Sequence, residues 1–295
     1  KIGDMFCASA HGDLPYEKTE KPAAGTTLTW LFTGEPGSRR ASFLVNHPAE
    51  LFMEKEDVSW LNTNRLNASA YDGQTRELPA DLLAQLDAGT LRAVNASHPK
   101  FEEILAYKPK EGKKRVHVLA IGDVGSMLLT GLHLLGGDVI SSIGICDISD
   151  KVTARWEFEE NQIAYPWDYD AMPEVDVVDQ DHLFDCDVFV FVASKGIPPV
   201  GSGVKDVRMY QFENNSKIIG HYAKMAREKN FKGLFCAVSD PVDPLAKTAF
   251  LESNKNEAGE YDWMGLLPEQ IQGFGTTFPT TAPAATPPCR AAARL

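Results

Sequence analysis

The stretch VHVLAIGDVGSMLLTGLHLL, residues 116–135, decides the fold of the larger part of this chain. An apolar run of strand length enters a turn that contains Gly122 and Gly125, and a helical segment follows directly. In such a turn the first of these glycines lets the backbone approach a phosphate group, and the second lets helix and strand pack closely. Ala120 occupies the first position of the usual G-x-G-x-x-G pattern, so a tight turn without a ligand stays open as an alternative.

Apolar runs and amphipathic helical segments alternate after this turn, which is typical of βαβ units around a parallel sheet. The sequence predicts six strands, at residues 116–121, 140–147, 175–179, 187–193, 233–239 and 270–274. The clearest helix follows Asp206, a capping residue, and its apolar stripe consists of Ile218, Ile219, Tyr222, Met225 and Ala226. We therefore predict an α/β fold for residues 113–275, a doubly wound, mostly parallel, six-stranded Rossmann sheet with strand order 3-2-1-4-5-6.

The two ends of the chain differ from this central part. Residues 1–112 contain possible strands at 27–32 and 41–45 and helices at 58–62 and 79–91, which predicts a small α+β domain of unknown role. The charge-rich stretch KPKEGKKR separates it from the central part. Residues 276–295 are rich in Pro, Ala, Thr and Arg and cannot form a packed core, so we predict an irregular tail, disordered or frameshifted.

Composition excludes several classes of function. The net charge of −12 argues against a nucleic-acid partner, because binding to phosphates requires a basic face. No run approaches the length of about 20 apolar residues that a membrane span requires, so no membrane partner is expected. Five scattered cysteines without a CxxC pair favour reduced thiols and a cytoplasmic location. Metal-binding patterns such as H-x-x-x-H are missing, and we expect no metal.

Asp147 ends the second predicted strand, 25 residues after Gly122. This is close to the interval of about 20 residues at which an acidic residue accepts hydrogen bonds from the hydroxyls of the adenosine ribose. A carboxylate there would repel a 2′-phosphate, which favours NAD over NADP. The alternative is a solvated loop aspartate.

The order of these features resembles the lactate/malate dehydrogenase family. The shared features are the GDVG turn, the acid after the second strand, a glycine-containing loop followed by Arg208 and Asn215, and the segment SDPVDPL that starts at Ser239. The resemblance covers about 160 residues, 115–275, and residues 1–112 have no counterpart in standard members. It implies an NAD-dependent oxidoreductase that transfers a hydride between nicotinamide and a small 2-hydroxy or 2-oxo acid substrate.

The resemblance also assigns roles to individual residues. Arg208 would close over the substrate and polarise its carbonyl, with a solvent-facing helix charge as the alternative. Asp240 stands where the family usually has Asn, and a carboxylate cannot donate a hydrogen bond unless it is protonated. The residues implied to line the cofactor are Gly122, Asp123, Val124, Gly125, Asp147, Ala193, Ser194, Asn215 and Ser239.

The family's catalytic His, its carboxylate partner and a substrate-binding Arg follow the sixth strand, whereas the recognisable sequence here stops near Gly275. The seven histidines match no family motif. The leading hypothesis is therefore a dehydrogenase of the lactate/malate type that is incomplete in this chain, whether or not the chain itself turns over. A catalytically inactive NAD-binding module with a protein-binding N-terminal domain is the second hypothesis, and an NAD-dependent glycosidase, which needs His and Cys metal ligands, is the third. By analogy with the family we expect a homo-oligomer.

Overall fold

The computed structural model describes residues 1–16, 18–20, 22–23, 25–53, 56, 78–196, 198, 201 and 203–275. Contacts between residues divide the chain into two units. The first contains Lys1–Tyr107 and Asn254–Glu269, and the second contains Lys108–Ser253 and the chain from Gln270 onward. The helix predicted at 58–62 and the tail predicted at 276–295 lie outside the described residues.

The first unit is built on a four-stranded sheet. Its elements are β1 (Phe6–Ser9), β2 (Leu28–Phe32), β3 (Ser42–Leu44), α1 (Ala80–Asp87), β4 (Arg92–Asn95) and α2 (Phe101–Ala106). The strand order is β1-β2-β4-β3, in which only the β3–β4 pair is antiparallel. The sequence predicted β2 and β3 but missed β1 and β4. The helix predicted at 79–91 ends at Asp87 because Gly89 adopts a positive φ of 65°, which terminates a helix and frees the chain to enter β4.

Both faces of this sheet are covered. Trp30 and Phe32 pack into one apolar cluster, and Leu31, between them on β2, packs into another on the opposite face. Ala93 and Val94 of β4 divide between the same two clusters. Because side chains alternate along a strand, burial of consecutive residues marks β2 and β4 as the central strands of the sheet.

The segment Asn254–Glu269 belongs to the first unit, although the sequence pattern placed it within residues 113–275. The carboxylate of Glu269 accepts hydrogen bonds from the backbone N–H groups of Ala41, at 3.0 Å, and Ser42, at 2.7 Å. Burial raises the pKa of the Glu269 carboxyl. A Cβ atom added to Gly37 would lie 2.6 Å from the ring of Trp263, so the indole packs directly on the glycine backbone.

We predict that Glu269→Ala lowers the free energy of unfolding of the first unit by about 2 kcal/mol, because two backbone donors lose their acceptor. Glu269→Gln should cost about half as much, since its amide oxygen still accepts one of the two bonds. Urea titration followed by tryptophan fluorescence measures both changes. Glu257→Ala, which removes an exposed carboxylate from the same segment, is the matched control and should have little effect. Equal effects of Glu269→Ala and Glu257→Ala would contradict the assignment.

The second unit is a six-stranded sheet in which every pair of neighbouring strands is parallel. Its strands are β5 (Lys114–Leu119), β6 (Ile140–Cys146), β7 (Glu174–Val177), β8 (Val188–Phe191), β9 (Leu234–Ala237) and β10 (Ile271–Gly273). The order β10-β9-β8-β5-β6-β7 is 3-2-1-4-5-6 when the strands are counted along this unit. The predicted doubly wound Rossmann sheet is confirmed; β5 has the predicted length but begins two residues earlier, and the other strands are one to three residues shorter than the sequence indicated.

Four helices connect these strands: α3 (Asp123–Leu135), α4 (Asp150–Asn161), α5 (Val207–Glu228) and α6 (Val242–Ser253). Helix α3 packs with α4, and α5 packs with α6. The chain leaves β5 in one direction and β8 in the other, so right-handed crossovers place the two helix pairs on opposite faces of the sheet. The predicted cap is confirmed, because the Asp206 side chain accepts a hydrogen bond from the Met209 N–H at 3.0 Å. Among the described residues, no helix has the length and apolar character needed to cross a membrane.

Candidate functional site

The carboxyl ends of β5, β6, β8 and β9 lie side by side at one edge of the sheet. Leu119 pairs with Cys146 on one side and with Phe191 on the other, and Phe191 pairs with Ala237. The loops that follow these strands therefore start at the same level. The strand order reverses between β5 and β8, and in doubly wound sheets ligands bind in the crevice at this point.

The two glycines in the turn between β5 and α3 have different surroundings: the backbone is open at Gly122 and tightly packed at Gly125. A Cβ atom added to Gly122 would meet no atom within 4 Å, whereas a Cβ atom added to Gly125 would lie 2.0 Å from the carbonyl oxygen of Ala120. Gly122 is the N-cap of α3 and supplies no side-chain cap. The backbone N–H groups of the first helical turn have no acceptor within the helix, so they and the helix dipole favour an anion there.

Ala120 adopts a positive φ of 75°, a conformation that favours glycine. The sequence showed only that Ala120 departs from the glycine pattern. In the structure Ala120 therefore has its Cβ atom on a left-handed backbone. This conformation costs a non-glycine residue about 1 to 2 kcal/mol.

We predict that Ala120→Gly raises the free energy of unfolding of the second unit by about 0.5 kcal/mol, since relief of this strain exceeds the flexibility cost of glycine. Ala154→Gly in α4 is the matched control and should lower it by about 1 kcal/mol, because that site has a helical backbone. Urea denaturation measures both. Loss of stability in both variants would show that Ala120 is not strained.

Asp147 connects the ends of two neighbouring strands. One carboxylate oxygen accepts the backbone N–H of Ile121 at 2.8 Å, and the other accepts the N–H of Ser149 at 3.0 Å. Ile121 belongs to the glycine turn, so Asp147 fixes this turn relative to β6. A carboxylate offers about four lone-pair positions, and two stay available for other donors. The Asp147 carboxylate thus connects the backbone of the two loops that follow β5 and β6.

Asn215 of α5 holds the loops after β8 and β9 together. It is fully buried. Its side-chain oxygen accepts the backbone N–H of Lys195 at 2.9 Å. Its side-chain N–H groups donate to the hydroxyl of Ser194 at 3.2 Å and to the carbonyl oxygen of Asp240 at 2.8 Å. Because both donors are occupied, Asn215 orients the two loops and has no N–H free for a cofactor.

A second contact joins the same loops. The hydroxyl of Ser239 donates to the carbonyl oxygen of Ala193 at 2.8 Å. Ser239 is buried, whereas Ser194 is exposed. Of the residues that the resemblance assigned to this part of the site, Ser194 thus presents its side chain to solvent, and Ser239 connects the two strand ends.

We predict that Asn215→Asp lowers the free energy of unfolding by about 2 to 3 kcal/mol, because a buried carboxylate oxygen would face the Asp240 carbonyl without a proton between them. The matched control is Asn214→Asp. Its amide donates only to the Tyr210 carbonyl in its own helix, so the control should change stability by less than about 1 kcal/mol. Thermal and urea unfolding measure both variants. Similar losses of stability in the two variants would show that Asn215 does not hold the two loops together.

The two residues assigned to catalysis are exposed. Arg208 lies in the first turn of α5, and no hydrogen bond or ion pair holds its side chain among the described residues. The Asp240 side chain is also exposed, although its backbone is held by Asn215. Asp123 and Val124, in the first turn of α3, are exposed as well. The structure brings Asp240 and Ser194 to one edge through Asn215, whereas no hydrogen bond or ion pair joins Arg208 to them in the part of the chain that the structure describes.

None of the loops after β5, β8 and β9 contains a histidine. His117 and His133 are buried, and their Nδ1 atoms lie 2.8 Å and 2.9 Å from backbone carbonyl oxygens. His182 is paired with Asp179 after β7, and this contact raises the pKa of the imidazole. Burial raises the pKa of the Cys236 thiol to about 12, which makes it unreactive. Among the described residues, no group of three or more His, Cys, Asp or Glu side chains could hold a metal ion.

Comparisons with known proteins identify relatives. No protein-family model matches the chain. It is 29% identical over 134 residues to the L-lactate dehydrogenase of Mycoplasma mobile, a match that covers 45% of this chain and 39% of that protein. The minor L-lactate dehydrogenase of Enterococcus mundtii is 17% identical, with a TM-score of 0.42 over 50% of this chain and 45% of the other. The malate dehydrogenase of Archaeoglobus fulgidus, solved with NADH, is 20% identical, with a TM-score of 0.40 over 55% of this chain and 48% of the other.

The chain spans less than half the length of each of these proteins. The sequence match bears out the resemblance that the GDVG turn and the SDPVDPL segment indicated. Over these 134 residues the chain is similar to an L-lactate dehydrogenase.

Proposed function

We propose that the second unit binds NAD and that the protein acts as an NAD-dependent oxidoreductase of the lactate/malate type. In this proposal the cofactor exchanges a hydride with a small 2-hydroxy or 2-oxo acid. The observation that carries the proposal is the pairing of the open glycine turn with Asp147 at the end of the adjacent strand. The sequence similarity to an L-lactate dehydrogenase supports the reaction type.

The glycine turn fits the pyrophosphate of a dinucleotide. Gly122 leaves the space over the backbone open, and the close contact at Gly125 brings the start of α3 against the end of β5. The N–H groups of Asp123, Val124 and Gly125 would donate to the phosphate oxygens, with the dipole of α3 adding to the attraction. Ala120 replaces a glycine here without closing the turn, because it adopts the backbone conformation that a glycine would have.

Asp147 fits the adenosine ribose. Its two backbone hydrogen bonds fix the carboxylate at the strand end, and its remaining lone pairs would accept the 2′- and 3′-hydroxyls. A 2′-phosphate would bring like charge against this carboxylate, which supports NAD as the cofactor.

Asp123 has the opposite effect on the same ligand. Its exposed carboxylate lies in the first turn of α3, where it stabilises the helix dipole. The same negative charge would repel the pyrophosphate. The two aspartates therefore provide a matched pair, since each substitution by Asn removes one negative charge but should change cofactor affinity in opposite directions.

We predict that Asp147→Asn weakens NADH binding about tenfold and narrows the preference for NADH over NADPH, because the ribose loses an acceptor and the 2′-phosphate loses a repelling charge. Asp123→Asn should tighten the binding of both about twofold, as expected for one screened charge. Quenching of tryptophan fluorescence and energy transfer to the nicotinamide measure the affinities. Absence of saturable NADH binding, or equal effects of the two variants, would refute the proposal.

On the substrate side, Asn215 and Ser239 would position the loops after β8 and β9 beside the nicotinamide, where Ala193 and Ser194 would border the cofactor. Arg208 is proposed to polarise the substrate carbonyl. Asp240 would present a carboxylate to the substrate, and unless protonated it can only accept hydrogen bonds. An acid with a hydroxyl or amino donor at the contact point would therefore suit this edge better than one with acceptors alone.

A catalytically inactive NAD-binding module is the second candidate. The absence of histidine from the loops after β5, β8 and β9 favours it, because these loops offer no imidazole to exchange the substrate proton. The two candidates predict the same NADH affinity and differ in turnover. Oxidation of NADH in the presence of 2-oxo acids supports the dehydrogenase, whereas binding without turnover for every acid supports the module.

A further inference from the structure

A shallow groove of about 580 Å³ lies between α5 and α6, on the outer side of this helix pair. Its α5 wall includes Phe212, Ser216, Lys217, His221 and Lys224. Thr248 faces these residues from α6. None of these residues has a role in the proposed dinucleotide site.

A glycine opens the floor of the groove. Gly220 is buried between the helices, and a Cβ atom there would lie 3.3 Å from Cγ of Glu252. The missing side chain lets α6 approach α5 and leaves a depression between the flanking residues. Nζ of Lys224 lies 3.2 Å from Oε2 of Glu252 and closes one end of the groove.

The charge of the groove is opposite to that of the chain. Lys217, His221 and Lys224 follow one another at i, i+4 and i+7, so they share one face of α5. Glu252 balances the charge of Lys224, whereas Lys217 is exposed and no ion pair holds it among the described residues. Among the residues that line the groove, two lysines thus outnumber one glutamate, although the net charge of the protein is −12.

The donors in the groove are limited to this cationic face. The hydroxyl of Thr248 donates to the Pro244 carbonyl, and that of Ser216 lies 3.5 Å from the Glu213 carbonyl, so both are engaged by their own helices. Lys217 and the ring of His221 are left to donate to a ligand. One turn before Ser216, half-buried Phe212 supplies an aromatic surface. The groove thus offers cationic donors to an anionic group and an aromatic surface to an apolar body.

We propose that this groove binds a small organic anion, with its carboxylate, sulfonate or phosphate group on Lys217 and His221 and its aromatic or branched body on Phe212. The volume lies within the range of about 300 to 1,000 Å³ that is usual for small-molecule sites. Lysine suits a compact anionic group because its ammonium is a point charge with three donors. The proposal does not depend on dinucleotide binding.

Anilinonaphthalene sulfonate, a fluorescent monoanion with aromatic rings, is a suitable probe. Its own fluorescence reports binding, and substitutions inside and outside the groove assign the signal to the groove or to another part of the chain. We expect saturable binding to the wild type that weakens about tenfold in Lys217→Glu and about threefold in Phe212→Ser, through loss of the charge and of the aromatic contact respectively. Lys151→Glu, an exposed lysine of α4, makes the same charge change and should leave the affinity unchanged.

The Lys217→Glu variant should fold like the wild type. Lys217 is exposed, so Lys217→Glu should leave the circular dichroism spectrum and thermal unfolding of the protein unaltered. No saturable binding, equal affinity of the wild type and Lys217→Glu, or equal weakening by Lys151→Glu would each overturn the proposal. Weaker binding in both Lys217→Glu and Phe212→Ser, with unchanged affinity in Lys151→Glu, would establish the groove as an anion site.

Discussion

The contact between Gly125 and the carbonyl oxygen of Ala120 is the constraint on which the rest of the second unit depends. Any side chain at position 125 would have its Cβ atom 2.0 Å from that oxygen, so α3 can begin directly after β5 only with glycine there. This contact sets the distance of α3 from the sheet and leaves the first-turn N–H groups facing the crevice between β5 and β8. Asp147 then fixes the turn from the neighbouring strand through Ile121. The proposed pyrophosphate and ribose contacts both follow from this one packing requirement.

The opposite side of the crevice depends on a buried polar group. Asn215 lies on the stripe of α5 that otherwise buries Ile219, Tyr222 and Ala226. An amide in such a position is costly unless its hydrogen bonds are satisfied, and here they are satisfied by the ends of two strands. The loops after β8 and β9 are therefore held by a side chain that belongs to neither. This arrangement positions Ser194 and Asp240 at the ends of β8 and β9.

Local pattern was enough to predict the six parallel strands and the cap at Asp206, because each depends on apolar periodicity and on chemistry within a few residues. The strand order followed from the doubly wound fold class and not from any local pattern. The sequence could not show that Asn254–Glu269 packs with the first unit. Glu269 and Ala41 are 228 residues apart, and no periodicity links them. β1 and β4 were missed because their segments, FCAS and RAVN, contain small or polar residues and no continuous apolar run. The sequence indicated that Asn215 is unusual, because an amide interrupts the apolar stripe of α5. Its hydrogen-bond partners could be identified only in the folded chain.

Hydrogen–deuterium exchange with and without NADH measures the backbone N–H groups that are proposed to hold the pyrophosphate. We expect NADH to slow exchange in peptides covering residues 120–126 and 145–150, and Asp147→Asn to reduce the protection in both. Exchange in the later part of α4, residues 153–161, should not change. Protection elsewhere in the chain with none at these two peptides, or no protection at saturating NADH, would contradict the proposed site.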